Sequence, residues 1–246
     1  DAMRYRSAIR RSEQHSRNAA DALGWLGTAD TALTSSLDVL RRARELVVEA
    51  GNGVLGSDSR EAMAAEVDAL RDSVLQLADT RYIDRPVFAG TADIAAVFGA
   101  DHTYRGDTAA VMRSVADGEP VEVSLDGPSV FGNGSTSVFA VLTRIGEHLR
   151  GGDVAALVGD DLGDLDAARV RIQNGLSEVG ARYHHVEAMQ SRADDAKLSL
   201  LSSLSEVEDV DLPKTLTDLS LQETAYRAAL AAGARVVQPS LVDFLS

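Results

Sequence analysis

From Tyr5 to Val47 one seam of residues alternates steps of four and three: Tyr5, Ile9, Ser12, Ser16, Ala19, Leu23, Leu26, Asp30, Leu33, Leu37, Leu40, Arg44, Val47. A stripe with that period stays on one face of a helix only if the helix pairs lengthwise with another. The spacing therefore predicts a single coiled-coil-like helix over the whole stretch. Gly51-Asn52-Gly53 supplies the stop and the turn.

A second helix is expected from about Ser57. Asp58 and Glu61 have capping-box spacing, and the seam runs Met63, Val67, Leu70, Val74, Leu77, Arg81. The short glycine-bearing link makes the pair an antiparallel hairpin. After Arg85-Pro86 the character changes, with glycine and proline gathering through residue 135. Val111, Arg113 and Val115 alternate, as do Val121, Val123 and Leu125, and Asp117-Gly118 lies between them. That is a β-hairpin signal. Asp126-Gly127-Pro128 turns the chain again. Phe139, Leu142, Ile145 and Leu149 mark a short helix before Gly151-Gly152.

A third long seam follows: Leu165, Arg169, Ile172, Leu176, Val179, Tyr183, Val186, Gln190, Ala193, Lys197, Leu200, Leu204. The stretch SEVEDVDLP interrupts it, and a last helix is expected from about Pro213 to Ala232. The fold class is thus mainly α with a small β-rich insert (α+β): an elongated rod of long antiparallel coiled-coil-like helices, two before the insert and two after. The corresponding domains are a helical hairpin over 1–85, a β-rich outer insert with a short helix over 86–160, a long rod helix over 161–204, and an assembly helix with its tail over 205–246.

Composition narrows the function. The net charge is −14, which opposes binding to nucleic acid and to anionic membranes. The arginines that open the chain (Arg4, Arg6, Arg10, Arg11, Arg17) alternate with Ser, Gln and Asn and read as a solvated helix face. There is no cysteine, so disulfide and thiolate chemistry are absent. No run of about 18 apolar residues is present to span a bilayer as a helix.

No catalytic, cofactor or metal site emerges. His184 and His185 are adjacent, so on a helix they point about 100° apart and do not chelate as an i, i+4 pair would. The acidic run Gly159 to Asp166 lacks the spacing and terminal glutamate of a calcium loop, and suits the start of the third long helix. Gly132-Asn133-Gly134 is followed by no Lys-Ser/Thr, and no serine sits in G-x-S-x-G. The reading is a non-enzyme.

At both ends the residues carry a resemblance. RNAADALGWLGTADTALTSSLDVLRRARELVVEAGNG (17–53) resembles the N-terminal helix of bacterial flagellins and their relatives. EVDALRDSVLQLADTRYIDRPVFAGT (66–91) is similar to the next helix and its closing turn, with RYIDRP in place of a more glycine-rich turn. The final stretch resembles the flagellin C-terminal signature: an acidic break, a helix with a central Gln, and a Q-P-S-L tail. In the middle, VFAGT, YRGD and VSLDGPSVFG resemble the branch found at the hook–filament junction. Family members begin with a further helix, so the natural chain is expected to start earlier.

The resemblance implies a structural subunit that leaves the cell through the flagellar type III apparatus, with an export chaperone before secretion. It would assemble with copies of itself in a ring or tube outside the cell, between hook-associated protein 1 and flagellin. A short flagellin forming the filament itself is the alternative, and an unrelated helical binding module with a ligand site in the β insert is another. The assembly surface is expected at the far end of the chain. Val210, Leu212, Leu216, Leu219, Leu221, Tyr226, Leu230, Val236, Val237, Leu241, Phe244 and Leu245 are apolar there, and no later element follows to bury them. No cofactor, nucleic acid or membrane enters this reading.

Overall fold

The computed structural model describes residues 1–53, 56–208 and 212–237, with side chains of the last helix described over 213–234. Seven α-helices and two small antiparallel strand pairs are present among them. α1 runs Ala2–Asn52 and α2 Ser57–Ala78. β1 (Arg81–Tyr82) pairs with β2 (Arg85–Pro86), and β3 (Met112–Ala116) pairs with β4 (Glu119–Glu122). α3 (Gly127–Phe131), α4 (Val138–Gly151) and α5 (Val154–Ala156) follow. A π-helical turn, Leu157–Asp161, leads into α6 (Leu162–Glu208), and α7 spans Leu212–Val237. The chain is mainly helical with a small β region, as the seams require.

The residues form two compact units. One is Ile9–Leu198; the other takes both ends of the chain, Asp1–Ala8 and the stretch beginning at Ser199. In the larger unit α1 lies antiparallel to α2, as the Arg42–Glu66 pair near one end (2.7 Å) and the Trp25–Tyr82 ring contact further along establish. It lies antiparallel to α6 as well, with Arg44 on Asp166 (3.0 Å) and the Ser12 hydroxyl donating to the Ala193 carbonyl (2.6 Å). α4 packs along α2, where Arg150 meets Asp68 and Glu61.

The seams split into two heptad series. In α1, Ser12, Ala19, Leu26, Leu33, Leu40 and Val47 are buried, while Ser16, Leu23, Asp30, Leu37 and Arg44 sit at the edge. The buried face extends to the other side, over Ala22, Ala29, Ser36, Ala43 and Ala50. Small residues at every seventh position let neighbouring backbones approach. α6 repeats the division: Leu165, Ile172, Val179 and Val186 are buried, and Arg169, Leu176, Tyr183 and Gln190 are partly exposed.

Three local expectations change. α2 begins at Ser57, with Gly56 as N-cap and no side-chain cap bond, so Asp58 falls inside the first turn and no capping box forms. α6 continues past Leu204 to Glu208, and α7 is longer than expected at both ends. The acidic run at 159–166 is not a uniformly solvated helix start. Asp161 is fully buried, accepts from Arg144 Nε at 2.9 Å, and lies 2.6 Å from His148 Nδ1. The π-helical turn places that carboxylate under α4.

Candidate assembly surface

The family-like motifs of the insert converge on one another. Tyr104 is the centre: its hydroxyl lies 3.1 Å from the Phe88 carbonyl and 2.8 Å from that of Asp107. Burial, together with Asp126 and Asp107 nearby, pushes the Tyr104 phenol up to about 12. Asp107 accepts from the Thr91 N–H and hydroxyl and from the Ala109 N–H. Phe88, Phe98, Phe131 and Phe139 pack edge and face around this point, with Phe98 and Phe139 at 4.8 Å. Thus VFAGT, YRGD and DGPSVFG are spent on each other. Their chemistry is that of a packed knot, with Thr91, Tyr104 and Asp107 turned to internal hydrogen bonds.

The hairpin β3–β4 is held to α1 by a polar stripe. Arg11 and His15 reach Asp117, Asn18 donates to the Ser114 carbonyl, and Asp21 takes Arg113 at 2.6 Å. The Arg113 guanidinium also lies over the Trp25 ring, 5.8 Å from its centroid. These α1 residues recur at steps of three and four, so they share one face of the helix, while Arg182 of α6 holds Glu122 at the end of β4 at 3.2 Å.

The remaining site is α7. Every described side chain from Pro213 to Ala234 is exposed. Leu216, Leu219, Tyr226 and Leu230 continue the four-three pattern and share one face, with Glu223 as the polar member of the stripe. Their exposures run from 53% at Leu219 to 66% at Tyr226, far above what a packed seam shows. Leu221 is 71% exposed and lies about 140° around the helix from Leu216, beside Ala225, Ala228 and Ala232. The predicted surface therefore divides into a large-residue face and a small-residue face. Leu212, Val236 and Val237 belong to the helix by backbone, and their side chains are outside the described set. Val210, Leu241, Phe244 and Leu245 lie outside the described residues.

Charge is close to balanced on this helix. Lys214, Arg227 and Arg235 slightly outweigh Asp218 and Glu223, while the chain as a whole carries −14. Two copies can bring such faces together without the repulsion that their other surfaces impose. Elsewhere, His184 is exposed and pairs with Glu187 at 3.4 Å. Among the described residues no group of three or more His, Asp or Glu could hold a metal ion, and no helix is long and apolar enough to cross a membrane.

Comparison with known proteins agrees with this anatomy. Residues 1–93 match the family model described as the bacterial flagellin N-terminal helical region. Flagellar hook-associated protein 3 of Escherichia coli (strain K12) is 26% identical over 235 residues, covering 82% of this chain and 72% of that protein. Among solved structures, Bacillus cereus FlgL superposes with a TM-score of 0.72 at 25% identity, covering 80% of this chain and 97% of that one. Flagellar hook-associated protein 3 of Legionella pneumophila shares the fold with a TM-score of 0.75 at 16% identity, covering 86% and 100% of the two chains.

Proposed function

We propose that the chain is a member of the flagellin-like family of bacterial flagellar proteins, a reading supported by its N-terminal match and by the fold it shares with hook-associated protein 3 structures, and that it is the subunit that joins the hook to the filament by helical self-assembly. It is a structural component of the flagellum and not an enzyme. In the proposed role it leaves the cell through the flagellar type III apparatus, held before secretion by an export chaperone. It then meets hook-associated protein 1 on one side and flagellin on the other, with copies of itself around the ring.

One observation carries the reading: α7 is an amphipathic helix of about seven turns whose apolar face stays exposed among the described residues. Leu216, Leu219, Tyr226 and Leu230 form the proposed assembly face, and Leu221 with its alanines forms a second, closer-packing one. Val210, Leu212, Val236, Val237, Leu241, Phe244 and Leu245 are assigned to the same surface on sequence alone. An isolated helix of this kind gains little from propensity and much from burying its stripe against neighbours. A repeating contact that does not close on itself makes a helical tube.

The test is electron microscopy of the purified protein, with complementation of cells that lack it. The junction role predicts that such cells carry hooks without filaments and that the protein alone forms no long filaments. Long self-polymers would make it a flagellin instead.

A further inference from the structure

The chain contains three Asn-Gly pairs, Asn52-Gly53, Asn133-Gly134 and Asn174-Gly175, and the fold treats each differently. An asparagine followed by glycine can modify itself. The glycine backbone nitrogen attacks the side-chain amide carbon, a C–N bond forms, and ammonia leaves. Water then opens the cyclic imide at either carbonyl, giving aspartate or isoaspartate. Glycine favours the attack because no Cβ blocks the nitrogen and because its backbone turns freely. The attack also needs the asparagine ψ to leave the helical value and the side chain to move.

Asn174 meets neither need. It lies inside α6, where the Gly175 backbone is fixed by the helix, and Gly175 is buried with room for a Cβ only 3.0 Å from Val130. Asn133 is pinned from both sides. Its side-chain oxygen accepts from the Tyr104 N–H at 3.1 Å, and its carbonyl takes the Thr136 N–H at 3.3 Å and hydroxyl at 3.0 Å. Asn52 is the last residue of α1, exposed, with the exposed Gly53 in a bend beyond it. Among the described residues its side chain makes no hydrogen bond. Helix ends open at small cost, so both requirements are met there.

We propose that Asn52 is a self-modifying site, converted through a cyclic imide to aspartate and isoaspartate while Asn133 and Asn174 are protected by the fold. The product places a carboxylate at the C-terminal end of α1, in the same turn as Glu49, where the helix dipole already disfavours negative charge. The isoaspartate product also lengthens the backbone by one methylene at the entry to the α1–α2 turn. Ageing at this point therefore loosens the end of the hairpin selectively.

The full chain is held folded at mildly alkaline pH, sampled over time, digested, and the three peptides are followed by mass spectrometry. An isoaspartate-specific methyltransferase with labelled methyl donor is the second probe. Conversion of the Asn52 peptide ahead of the other two is expected, with methyl acceptance falling to background in Asn52→Gln and persisting in Asn174→Gln. In denaturant the three peptides are expected to convert at similar rates, since each is followed by glycine. The proposal is overturned if Asn133 or Asn174 converts as fast as Asn52 in the folded chain, if Asn52→Gln retains the label, or if the same ranking persists in denaturant.

Discussion

Asp107 holds Thr91 twice, accepting its backbone N–H and its hydroxyl, each at 2.8 Å. The neighbouring Gly90 makes this possible. It has φ +66°, and a Cβ there would run into both the carbonyl and the carboxylate of Asp107. Gly90→Ala is therefore expected to cost about 2 kcal/mol or more, from left-handed backbone strain with the displaced Asp107 added. Urea unfolding checks it; an unchanged midpoint would remove Gly90 from the knot.

The same carboxylate gives a pH signature. Hydrogen bonds from Thr91, the backbone N–H foremost, hold Asp107 below the ordinary carboxylate value. A group whose folded pKa is depressed contributes stability above its unfolded value, about 4, and loses it as pH falls through the folded value. Asp107→Asn should accordingly be less stable than the parent at neutral pH, with the difference closing in acid below pH about 4. The pair of denaturation midpoints against pH reads this directly, and a constant gap at all pH values would contradict it.

Trp25 is the single tryptophan and reports on the hairpin. Arg113 over its ring and Tyr82 at its edge, 5.9 Å away, are its polar neighbours. Arg113→Ala removes both the ring contact and the Asp21 pair. A shift in Trp25 emission and a loss of about 1 kcal/mol are expected. Emission identical to the parent's would mean that the hairpin is held without this contact.

The Arg144–Asp161 pair is unequal. Asp161 is fully buried, whereas the Arg144 side chain is 35% exposed and also touches Asp164. Removing the arginine strips a buried carboxylate of its guanidinium partner and leaves it only His148 among the described residues, while removing the charge on Asp161 leaves an arginine that can still reach water. Arg144→Ala is expected to cost about 3 kcal/mol and Asp161→Asn about 1 kcal/mol. Equal losses in thermal or urea unfolding would refute the asymmetry.

The seams were legible because only long paired helices keep a four-three stripe in register, and α1 and α6 follow it. The choice of face within them was not. Ala22, Ala29, Ser36, Ala43 and Ala50 are buried, yet alanine and serine carry too little hydropathy to mark an inside. Leu23 and Leu37 looked equivalent to Leu26 and Leu40 and lie at the edge. Asp161 was hidden for a related reason: an acid near a helix start reads as solvated, and only the π-helical turn shows that it points under α4. On α7 the apolar residues were visible in sequence. Leu221 looked like one of the set and proves to lie on another side, which only the helix register reveals.

The Leu216, Leu219, Tyr226, Leu230 face of α7, exposed in the described structure, is proposed to serve assembly and not the stability of the folded monomer. Leu219→Asp with Leu230→Asp, introduced together into the full chain, tests it in one strain. Unchanged thermal unfolding is expected, since exposed substitutions cost within about 0.5 kcal/mol. Filament growth on the hooks of complemented cells, scored by electron microscopy, is expected to be lost. Filaments of normal number and length would contradict the account.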